Sequence, residues 1–593
     1  MIELGLARVF RLLARTPLPW RALHVAGTNG KGSICAYISA MLAAYNASQL
    51  RIESGKPPIK HGRFTSPHLI DRWDCITIDE KTISEAIFRQ VEAKVLARNI
   101  SENIQATEFE LLTATAFEIF TLENVDIGVI EVGMGGRLDS TNILGRTSEF
   151  DELEQNQQSR PKPLVTAIST IALDHQGFLG NTLVEIATQK AGIMKPGVPL
   201  VLAMNDEAVT EHILQLASEA GVTQILHSKD TAGFDVTRAS STTDAAHARQ
   251  QNGAMAFTIT WLALKQLNRL PAPPTTQAAC GSSTLRNDIR TSSLSALAST
   301  LRAVPEGVVW PGRLQDIDLA PLTNYKSPAL LDGAHNVESA TVLANTVRIR
   351  AGDRPVVWVL AASKGKDLTS MFELLLAGRS EDRVVATEFG AVDGMPWITA
   401  TQVEDVKTAA ANILPEDSVV VEKDVGVALK KASRLAEEMH ALLVIAGSLY
   451  LVGDVLRLGR AYIYLSPQLS ASRNAVVAAV ASVLSSRRCH LIGASRYQNS
   501  PVRPGVYADP PTPARDHMTI PHNRDISNCL IFLDGIAAYF AYCAPDKQRV
   551  GFLAMQPMYM NISAAVMQKV EIVRGVLGDV TPRTKSCKND ESN

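Results

Sequence analysis

The amino-acid sequence predicts an α/β protein built on mostly parallel sheets. Short apolar runs typical of buried strands alternate with segments whose apolar residues recur at helical spacing, which is the pattern of βα units. A glycine-rich loop follows the first apolar run, at the strand end where parallel sheets place ligand-binding loops. The chain has 593 residues, which is too long for a single hydrophobic core and predicts several domains.

Two series of predicted strands divide most of the chain into two α/β domains. The first series covers residues 22–26, 127–132, 164–170 and 199–203, and the second covers residues 329–332, 356–361, 383–387, 418–421 and 442–446. Predicted helices lie near residues 33–45, 84–97, 108–122, 336–350, 401–413 and 426–440. Polar or proline-rich segments interrupt the alternation at residues 148–163, 270–293 and 501–522. We therefore predict a first domain at 1–300, a second domain at 301–460 and a tail of unknown role at 461–593.

Composition and charge limit the classes of function. Hydrophobic residues make up 46% of the chain and the net charge is −2, so neither nucleic acid nor an anionic membrane is an expected partner. Seven scattered cysteines without a C-x-x-C pair fit reduced thiols better than a disulfide framework or a zinc site. The sequence shows no apolar run of membrane-spanning length and no apolar signal core near its start. These features predict a cytoplasmic protein, with a mitochondrial pool left open.

The stretch HVAGTNGKGS at residues 24–33 is typical of a nucleotide phosphate site. Its glycines free the backbone to curl so that several N–H groups point at one anion, while Lys31 supplies a point charge and Ser33 can offer a hydroxyl to Mg²⁺. The helix predicted to follow directs its positive N-terminal end at the same phosphates. The predicted ATP-binding residues of this loop are Gly27, Thr28, Asn29, Gly30, Lys31, Gly32 and Ser33. The spacing departs from the common G-x-x-x-x-G-K-[ST] pattern, so a glycine-rich turn without a ligand is the alternative.

The segment EVGMGGRLDSTN at residues 131–142 begins with an acid on an apolar strand. A buried carboxylate is costly unless a cation or hydrogen-bond donors meet it. A magnesium ion held on ATP would supply that cation at Glu131, and the alternative is an ion pair with Arg137. Asp139 and Asn142 lie in the loop beyond the strand, where ligand contacts are common in α/β sheets.

Three further residues are candidates for a role at this site. His175 follows the strand predicted at 164–170, and a ligand role and a structural role are equally open for it. Lys190 lies near the end of a short predicted helix, where a solvated lysine or a helix cap is the ordinary interpretation. Ser66 precedes a proline that holds it extended, so its hydroxyl can face a site, although a simple turn explains it equally well.

The second domain carries two more motifs. WPGR at residues 310–313 lies before the first predicted strand of this domain, and DGAHN at residues 332–336 ends that strand. The DGAHN loop places an acid, a glycine turn, an imidazole and an amide at one strand end. That grouping is unusual in a purely structural turn, although a helix cap at Asn336 explains part of it.

In this order, the motifs resemble those of the Mur-ligase superfamily, in the branch of folylpolyglutamate synthases and dihydrofolate synthases. The resemblance runs from residue 2 to about residue 457 and rests on AGTNGKGS, FTSPHL, EVGMGGRLDSTN, LDH, WPGR with DGAHN, and GSLYLVG. Segments 107–113 and 392–398 are most similar to the fungal type of dihydrofolate synthase. The resemblance implies a P-loop-containing central domain, with a parallel sheet flanked by helices, followed by a smaller Rossmann-like α/β domain.

The activity that the resemblance implies is ATP-dependent amide ligation. The carboxylate of 7,8-dihydropteroate would attack the γ-phosphate of ATP, and the α-amino group of L-glutamate would then displace phosphate from the acyl phosphate to give dihydrofolate. The alternatives are a folylpolyglutamate synthase that extends tetrahydrofolates, a bifunctional enzyme and, more distantly, a nucleotide-binding protein without ligase chemistry. The implied partners are these small molecules, and a monomer is expected.

The same resemblance implies roles for individual residues. The implied metal ligands are Ser66, Glu131 and His175, and the implied catalytic residues are Lys31, His175 and Lys190. Lys190 matches a lysine that becomes carbamylated and binds a second Mg²⁺ ion. Nucleotide contacts outside the loop are implied for Asn252, Arg313, Asp332 and His335, and contacts with the pterin-bearing substrate for Asp139 and Asn142. Val337 replaces the proline that often follows DGAHN, and the segment around Asn252 matches only loosely.

Overall fold

The computed structural model describes residues 5–145, 160–231, 233–234, 244–271 and 292–461. All of these residues belong to one compact unit of the chain, and their strands form two separate sheets.

The first sheet has eight strands and carries the glycine-rich loop. Its strands are β1 (Arg21–Ala26), β2 (His61–Phe64), β3 (Ile76–Ile78), β4 (Lys81–Thr82), β5 (Ile127–Glu131), β6 (Val165–Ile168), β7 (Leu200–Leu202) and β8 (Ile225–His227). Their order across the sheet is β4-β3-β2-β5-β1-β6-β7-β8. The strands from β2 to β8 in this order are parallel, and β3 and β4 are antiparallel additions at one edge.

The second sheet has six strands. They are β9 (Gln315–Ile317), β10 (Ala329–Leu331), β11 (Val356–Leu360), β12 (Arg383–Ala386), β13 (Val419–Val421) and β14 (Leu442–Ala446). The order is β13-β12-β11-β14-β10-β9, with β9 antiparallel and the other strands parallel.

Helices connect and cover the strands. They are α1 (Ala7–Leu12), α2 (Lys31–Ala47), α3 (Gln49–Glu53), α4 (Glu85–Ser101), α5 (Glu108–Leu122), α6 (Gln176–Leu179), α7 (Leu183–Ala191), α8 (Glu207–Glu219), α9 (Asp244–Gln266), α10 (Ser292–Gly307), α11 (Ala320–Thr323), α12 (Val337–Ala351), α13 (Leu368–Leu376), α14 (Val403–Ala411) and α15 (Val425–Glu438). Residues 449–461 are helical as well.

The strand β1 lies at the centre of the first sheet and is buried on both faces. Helices α2, α9 and α10 cover one face through apolar side chains such as Phe257 and Trp261. Helices α1, α4 and α5 cover the other face, where Trp20 packs edge-on against Phe117 with ring centroids 5.0 Å apart. Because both faces are covered, the central strands are mostly apolar and do not alternate between apolar and polar residues.

The loops after β1, β5 and β6 meet at one edge of this sheet. The chain leaves β1 toward β2 on one side and returns past β1 from β5 to β6 on the other side. Parallel sheets bind ligands where connections diverge in this way, outside the carboxyl ends of the strands.

The nine predicted strands are confirmed to within two residues as β1, β5, β6, β7 and β10 to β14. The predicted helices are confirmed as α2, α4, α5, α12, α14 and α15, with ends that differ by up to four residues. Strands β2, β3, β4, β8 and β9 and the long helix α9 were not predicted.

Several predictions fall outside the described residues. These are most of the segments at 148–163 and 270–293, the proline-rich segment 501–522 and the tail after residue 461. The domain boundary near residue 300 stays a prediction. Among the described residues, no helix has the length and apolar character needed to cross a membrane.

Candidate active site

The phosphate loop, residues 27–33, leaves β1 and begins α2. Gly30 has a φ of +85°, and a Cβ at this position would lie 2.5 Å from Oδ1 of Asn252 on α9. Gly27 has a φ of +143°, and a Cβ there would overlap the hydroxyl of Ser169. Both positions therefore require glycine, and the loop is fitted against α9 and the chain after β6. The structure thus brings Asn252, which matches the family only loosely in sequence, directly against the loop.

Hydrogen bonds tie the loop to the end of β6. The N–H of Thr28 donates to the carbonyl of Thr170 at 2.8 Å, and its hydroxyl accepts from the N–H of Ala172 at 3.0 Å. The ammonium of Lys31 donates to the carbonyl of Thr28 at 3.1 Å, so its side chain lies back along the loop. Helix α2 begins without a side-chain cap. Its first N–H groups, which have no partner within the helix, are therefore available to donate hydrogen bonds to an anion.

Glu131 ends β5 as a buried carboxylate beneath the loop. Burial raises the pKa of Glu131, while Lys31, the N–H of Ser66 and Arg313 act in the opposite direction. The N–H of Ser66 donates to Oε2 of Glu131 at 3.2 Å. A Cβ on Gly32 would lie 3.3 Å from the same oxygen, which shows how closely the loop covers the acid.

The alternative ion pair of Glu131 with Arg137 is not formed. Arg137 is exposed, and its Nε donates to the side chain of Gln189 at 3.4 Å. Among the ion pairs of the described residues, none joins Glu131 to Arg137. A cation from outside the chain therefore remains the expected partner of this carboxylate.

The side chains around Glu131 are chemically suited to a divalent cation held together with phosphate. Ser66 and Glu131 are joined by the hydrogen bond described above, and they offer hard oxygen donors of the kind that Mg²⁺ prefers. In the described part of the chain, no group of three His, Cys, Asp or Glu side chains is assembled that could hold a metal unaided. The donor set therefore suits an ion that is completed by phosphate oxygens, as in other phosphate-transferring sites.

Lys190 is buried at the end of α7, and it does not cap the helix in solvent as its sequence position suggested. Its ammonium donates to the carbonyl of Gly27 at 2.7 Å. Burial and the charge of Lys31 lower the pKa of Lys190 to about 7. A lysine amine that is neutral in part of the population near pH 7 can act as a nucleophile, which a solvated lysine does not.

His175 lies at the rim of the site beside an ion pair between the two sheets. Lys366, in the loop after β11, pairs with Asp174 at 3.1 Å. Burial opposes ionisation of Asp174, but His175 and Lys366 outweigh it and lower the pKa of Asp174 to about 2. For His175, burial has the opposite effect and lowers the pKa. Its imidazole is therefore neutral at pH 7 and able to bind a metal.

The DGAHN loop presents the predicted residues of the second sheet. Asp332 is buried, with Oδ2 accepting from the N–H of Leu314 at 2.7 Å and Oδ1 accepting from the N–H of Ala334 at 2.8 Å. His335 Nδ1 contacts the carbonyl of Gly333 at 2.8 Å. Burial and Lys366 lower the pKa of His335 to about 4, so this imidazole is neutral as well. The loop thus places His335 close enough to Asp174 of the first domain to act on its ionisation. Arg313, from the WPGR motif, lies against Gly333 of the loop and acts on the ionisation of Glu131.

Asp139 and Asn142 are placed deeper than predicted. Asp139 accepts from the N–H of Met134 at 2.8 Å and from the hydroxyl of Thr141 at 2.5 Å. Asn142 is fully buried, and its amide binds the carbonyls of Arg137 and Gly192, each at 3.0 Å. Both side chains therefore shape the loop after β5, and their contact with the substrate stays a prediction.

Sequence analysis placed Asn29 in the phosphate loop and Trp310 in the WPGR motif, but it did not predict the contacts that join the two sheets around the site. Asn29 Nδ2 donates to Oε2 of Glu338 at 2.5 Å, and Lys366 reaches Asp174 from the same second sheet. The aromatic ring of Trp310, in the WPGR motif, lies 5.0 Å from the guanidinium of Arg63. The one sequence signal for the contact of Glu338 with Asn29 is that Glu338 follows closely after the DGAHN motif.

A phosphate loop at the switch point of one α/β domain, faced by the DGAHN loop of a second α/β domain, defines the class of ATP-dependent Mur-type ligases. Residues 315–458 match the family model described as dihydrofolate synthetase, C-terminal domain.

Comparison with related proteins and solved structures identifies the family within this class. It is 34% identical to the dihydrofolate synthetase of Saccharomyces cerevisiae over 78% of this chain and 99% of the yeast protein. It is 36% identical to the probable dihydrofolate synthetase of Schizosaccharomyces pombe over 77% of this chain and 98% of that protein. A bifunctional folylpolyglutamate synthase/dihydrofolate synthase, solved with Mn, AMPPNP and L-glutamate bound, has the same fold, with a TM-score of 0.54 and 23% identity over 77% of this chain and 94% of that chain. The chain belongs to the family of dihydrofolate synthases and folylpolyglutamate synthases, and it resembles the fungal dihydrofolate synthetases over nearly their whole length.

The buried amine of Lys190 generates a prediction about stability. In CO₂-free buffer, where the amine of Lys190 is unmodified, Lys190→Met keeps the aliphatic volume and removes the amine, so we expect the free energy of unfolding at pH 7 to rise by about 1–3 kcal/mol. We expect activity to be lost as well. The gain is largest below pH 7 and shrinks as the pH rises from about 7 to 10.5, because the wild-type amine becomes neutral in both states. Urea denaturation at several pH values measures it. Lys94→Met, at an exposed position on α4, is the control, and a lower stability of Lys190→Met would contradict the prediction.

Proposed function

We propose that this protein joins L-glutamate to 7,8-dihydropteroate at the expense of ATP, giving dihydrofolate, ADP and phosphate. The observation that carries the proposal is the phosphate loop above a buried acid, Glu131, at the junction of the two sheets. This choice of substrate is supported by membership of the family and by similarity to the fungal dihydrofolate synthetases over nearly their whole length.

The first step is transfer of the γ-phosphoryl group. The carboxylate oxygen of dihydropteroate attacks the γ-phosphorus, the bond to the bridging oxygen of ADP breaks, and an acyl phosphate forms. Lys31 and the first N–H groups of α2 bind the phosphate oxygens and neutralise the charge that moves toward ADP. Bound Mg²⁺, held by Ser66, Glu131 and His175, would supply further neutralisation of the triphosphate.

The second step forms the amide. The amino nitrogen of L-glutamate, after losing a proton, attacks the carbonyl carbon of the acyl phosphate, and the bond from that carbon to the phosphate oxygen breaks. The nucleotide is held during both steps by residues beside each sheet. Asn252 is on α9, which covers the first sheet, and the residues beside the second sheet are Arg313, Asp332 and His335. Because these residues come from both sheets, the second domain closes the site and keeps the reacting groups in position.

Lys190 has a more specific proposed role. Its neutral amine attacks CO₂ and loses a proton, which converts a cation into an anionic carbamate that can bind a second Mg²⁺ ion. A pKa of about 7 supports this step, since about half of the amine is neutral at pH 7. We further propose that the enzyme acts as a monomer in the cytoplasm, consistent with the free cysteines Cys35 and Cys75.

The acceptor decides between dihydrofolate synthase and its relatives. With the full chain, ATP, Mg²⁺ and L-glutamate, we expect ADP release that depends on 7,8-dihydropteroate and is weak with tetrahydrofolate. Product masses distinguish one added glutamate from a chain. Extension of tetrahydrofolate alone would assign the protein to the folylpolyglutamate synthases, use of both acceptors would make it bifunctional, and ADP release without glutamate would contradict ligase chemistry.

Glu131→Gln tests the metal role of the buried acid. The amide keeps the shape and can still accept from Ser66, but it binds Mg²⁺ poorly, so we expect half-saturation by Mg²⁺ to rise by about tenfold or more. Steady-state rates at increasing Mg²⁺ measure this change. Glu211→Gln, at an exposed position on α8, is the matched control. An unchanged Mg²⁺ requirement in Glu131→Gln would mean that the acid is structural.

Lys190→Ala tests the carbamate. We expect a loss of activity of about 100-fold or more and partial recovery with acetate or propionate, because a small carboxylate can occupy the place of the missing carbamate. Initial rates with and without the added acids measure the recovery, and the same acids should leave the wild-type rate unchanged. Full activity of Lys190→Ala without any acid would exclude this role.

A further inference from the structure

Asn29 of the phosphate loop is held at both ends of its side-chain amide by residues at the start of α12, beside the second sheet. Its Nδ2 donates to Oε2 of Glu338 at 2.5 Å, and its Oδ1 accepts from Nδ2 of Asn336 at 3.4 Å. Its backbone carbonyl accepts from the hydroxyl of Ser169 at 2.7 Å, on the first sheet. Asn29 is therefore a bridge between the two sheets, located within the loop that binds phosphate.

The start of α12 explains why Glu338 is available at this place. Asn336 caps the helix by accepting from the N–H of Ser339 at 2.9 Å, which fixes the first turn. Glu338 is the second residue of that turn and extends from the helix end toward the first sheet. The bond to Asn29 has a charged acceptor, and such hydrogen bonds are shorter and stronger than neutral ones.

We propose that Glu338 is a positioning residue for nucleotide binding: it holds Asn29, and with it the phosphate loop, against the second domain. This inference rests on the proposed ATP-dependent function. Since the loop's N–H groups must point at one anion, a loop held in place before the nucleotide arrives loses less conformational freedom on binding. We assign Glu338 no direct contact with the phosphates, because a carboxylate and a phosphate repel each other, and its Oε2 accepts from the amide of Asn29.

The bond also couples nucleotide binding to closure of the site. Asp174 and Lys366 also join the two sheets, so Asn29 and Asp174 provide two separate attachments to the second domain. Whatever favours the closed arrangement favours nucleotide binding, and bound nucleotide favours the closed arrangement by the same free energy. Loss of Glu338 is therefore expected to weaken binding more than it slows the chemical steps.

The experiment measures binding of the ATP analogue AMPPCP with Mg²⁺ to the full chain by calorimetry, together with steady-state kinetics. We expect Glu338→Ala to raise the dissociation constant and the KM for ATP by about three- to tenfold, as for loss of one hydrogen bond, with kcat within about twofold. Glu338→Gln keeps an acceptor oxygen and should restore most of the affinity. Glu373→Ala, at an exposed position on α13, is the matched control and should bind like the wild type.

A double-mutant cycle with Asn29→Ala separates this role from a general effect on folding. In the Asn29→Ala background, Glu338→Ala should weaken binding by less than twofold, because its partner is already gone. An equal loss in both backgrounds, or unchanged binding in Glu338→Ala, would overturn the inference. Failure of the wild type to bind AMPPCP at all would instead overturn the proposed function, so the two failures are distinguishable.

Discussion

The active site depends on the position of β1 between β5 and β6. The pairing of Val25 with Glu131 places the carboxylate at the level where β1 gives way to the phosphate loop. The pairing of Ala26 with Ile168 brings the end of β6, with Ser169 beyond it, to the same level. Since successive side chains of a strand point to opposite faces, a slip of one residue would turn Glu131 away from the loop. The register of three apolar strands thus determines where the charged groups meet.

Among the described residues around the phosphate loop, the charged side chains of Lys31, Lys190 and Glu131 do not form ion pairs with one another. The charge of Lys31 acts on the ionisation of both Glu131 and Lys190, yet in the described part of the chain no ion pair within 4.0 Å joins any two of these three residues. Burying such groups is costly, and a folded protein selected for stability alone would replace them by apolar side chains. A triphosphate with its divalent cation supplies the missing partners. The stability that this region loses is compensated by the apolar packing of α2, α9 and α5 on the two faces of the sheet.

The sequence predicted the central strands because they are buried on both faces and are therefore mostly apolar. It did not predict β2 or β4, whose sequences HGRF and KT are short and polar and are strands only because β5 and β3 pair with them. It also missed α9, in which buried side chains such as Phe257 and Trp261 follow a polar first half. Local motifs identified the loop, Glu131 and the DGAHN turn. The bridge from Asn29 to Glu338 spans 309 positions of the chain, and no local pattern records a contact of that kind.

The proposed chemistry explains why contacts between the sheets surround the phosphate loop. An acyl phosphate reacts with water as well as with an amine, so the site must exclude water between the two steps. A single domain with an open strand edge could bind ATP, but it could not cover the intermediate. Asn29 lies on the proposed phosphate loop and Asp174 directly precedes His175, a proposed metal ligand, and both side chains contact residues of the second domain. Closure and correct placement of the phosphates are therefore one event, since the same contacts produce both.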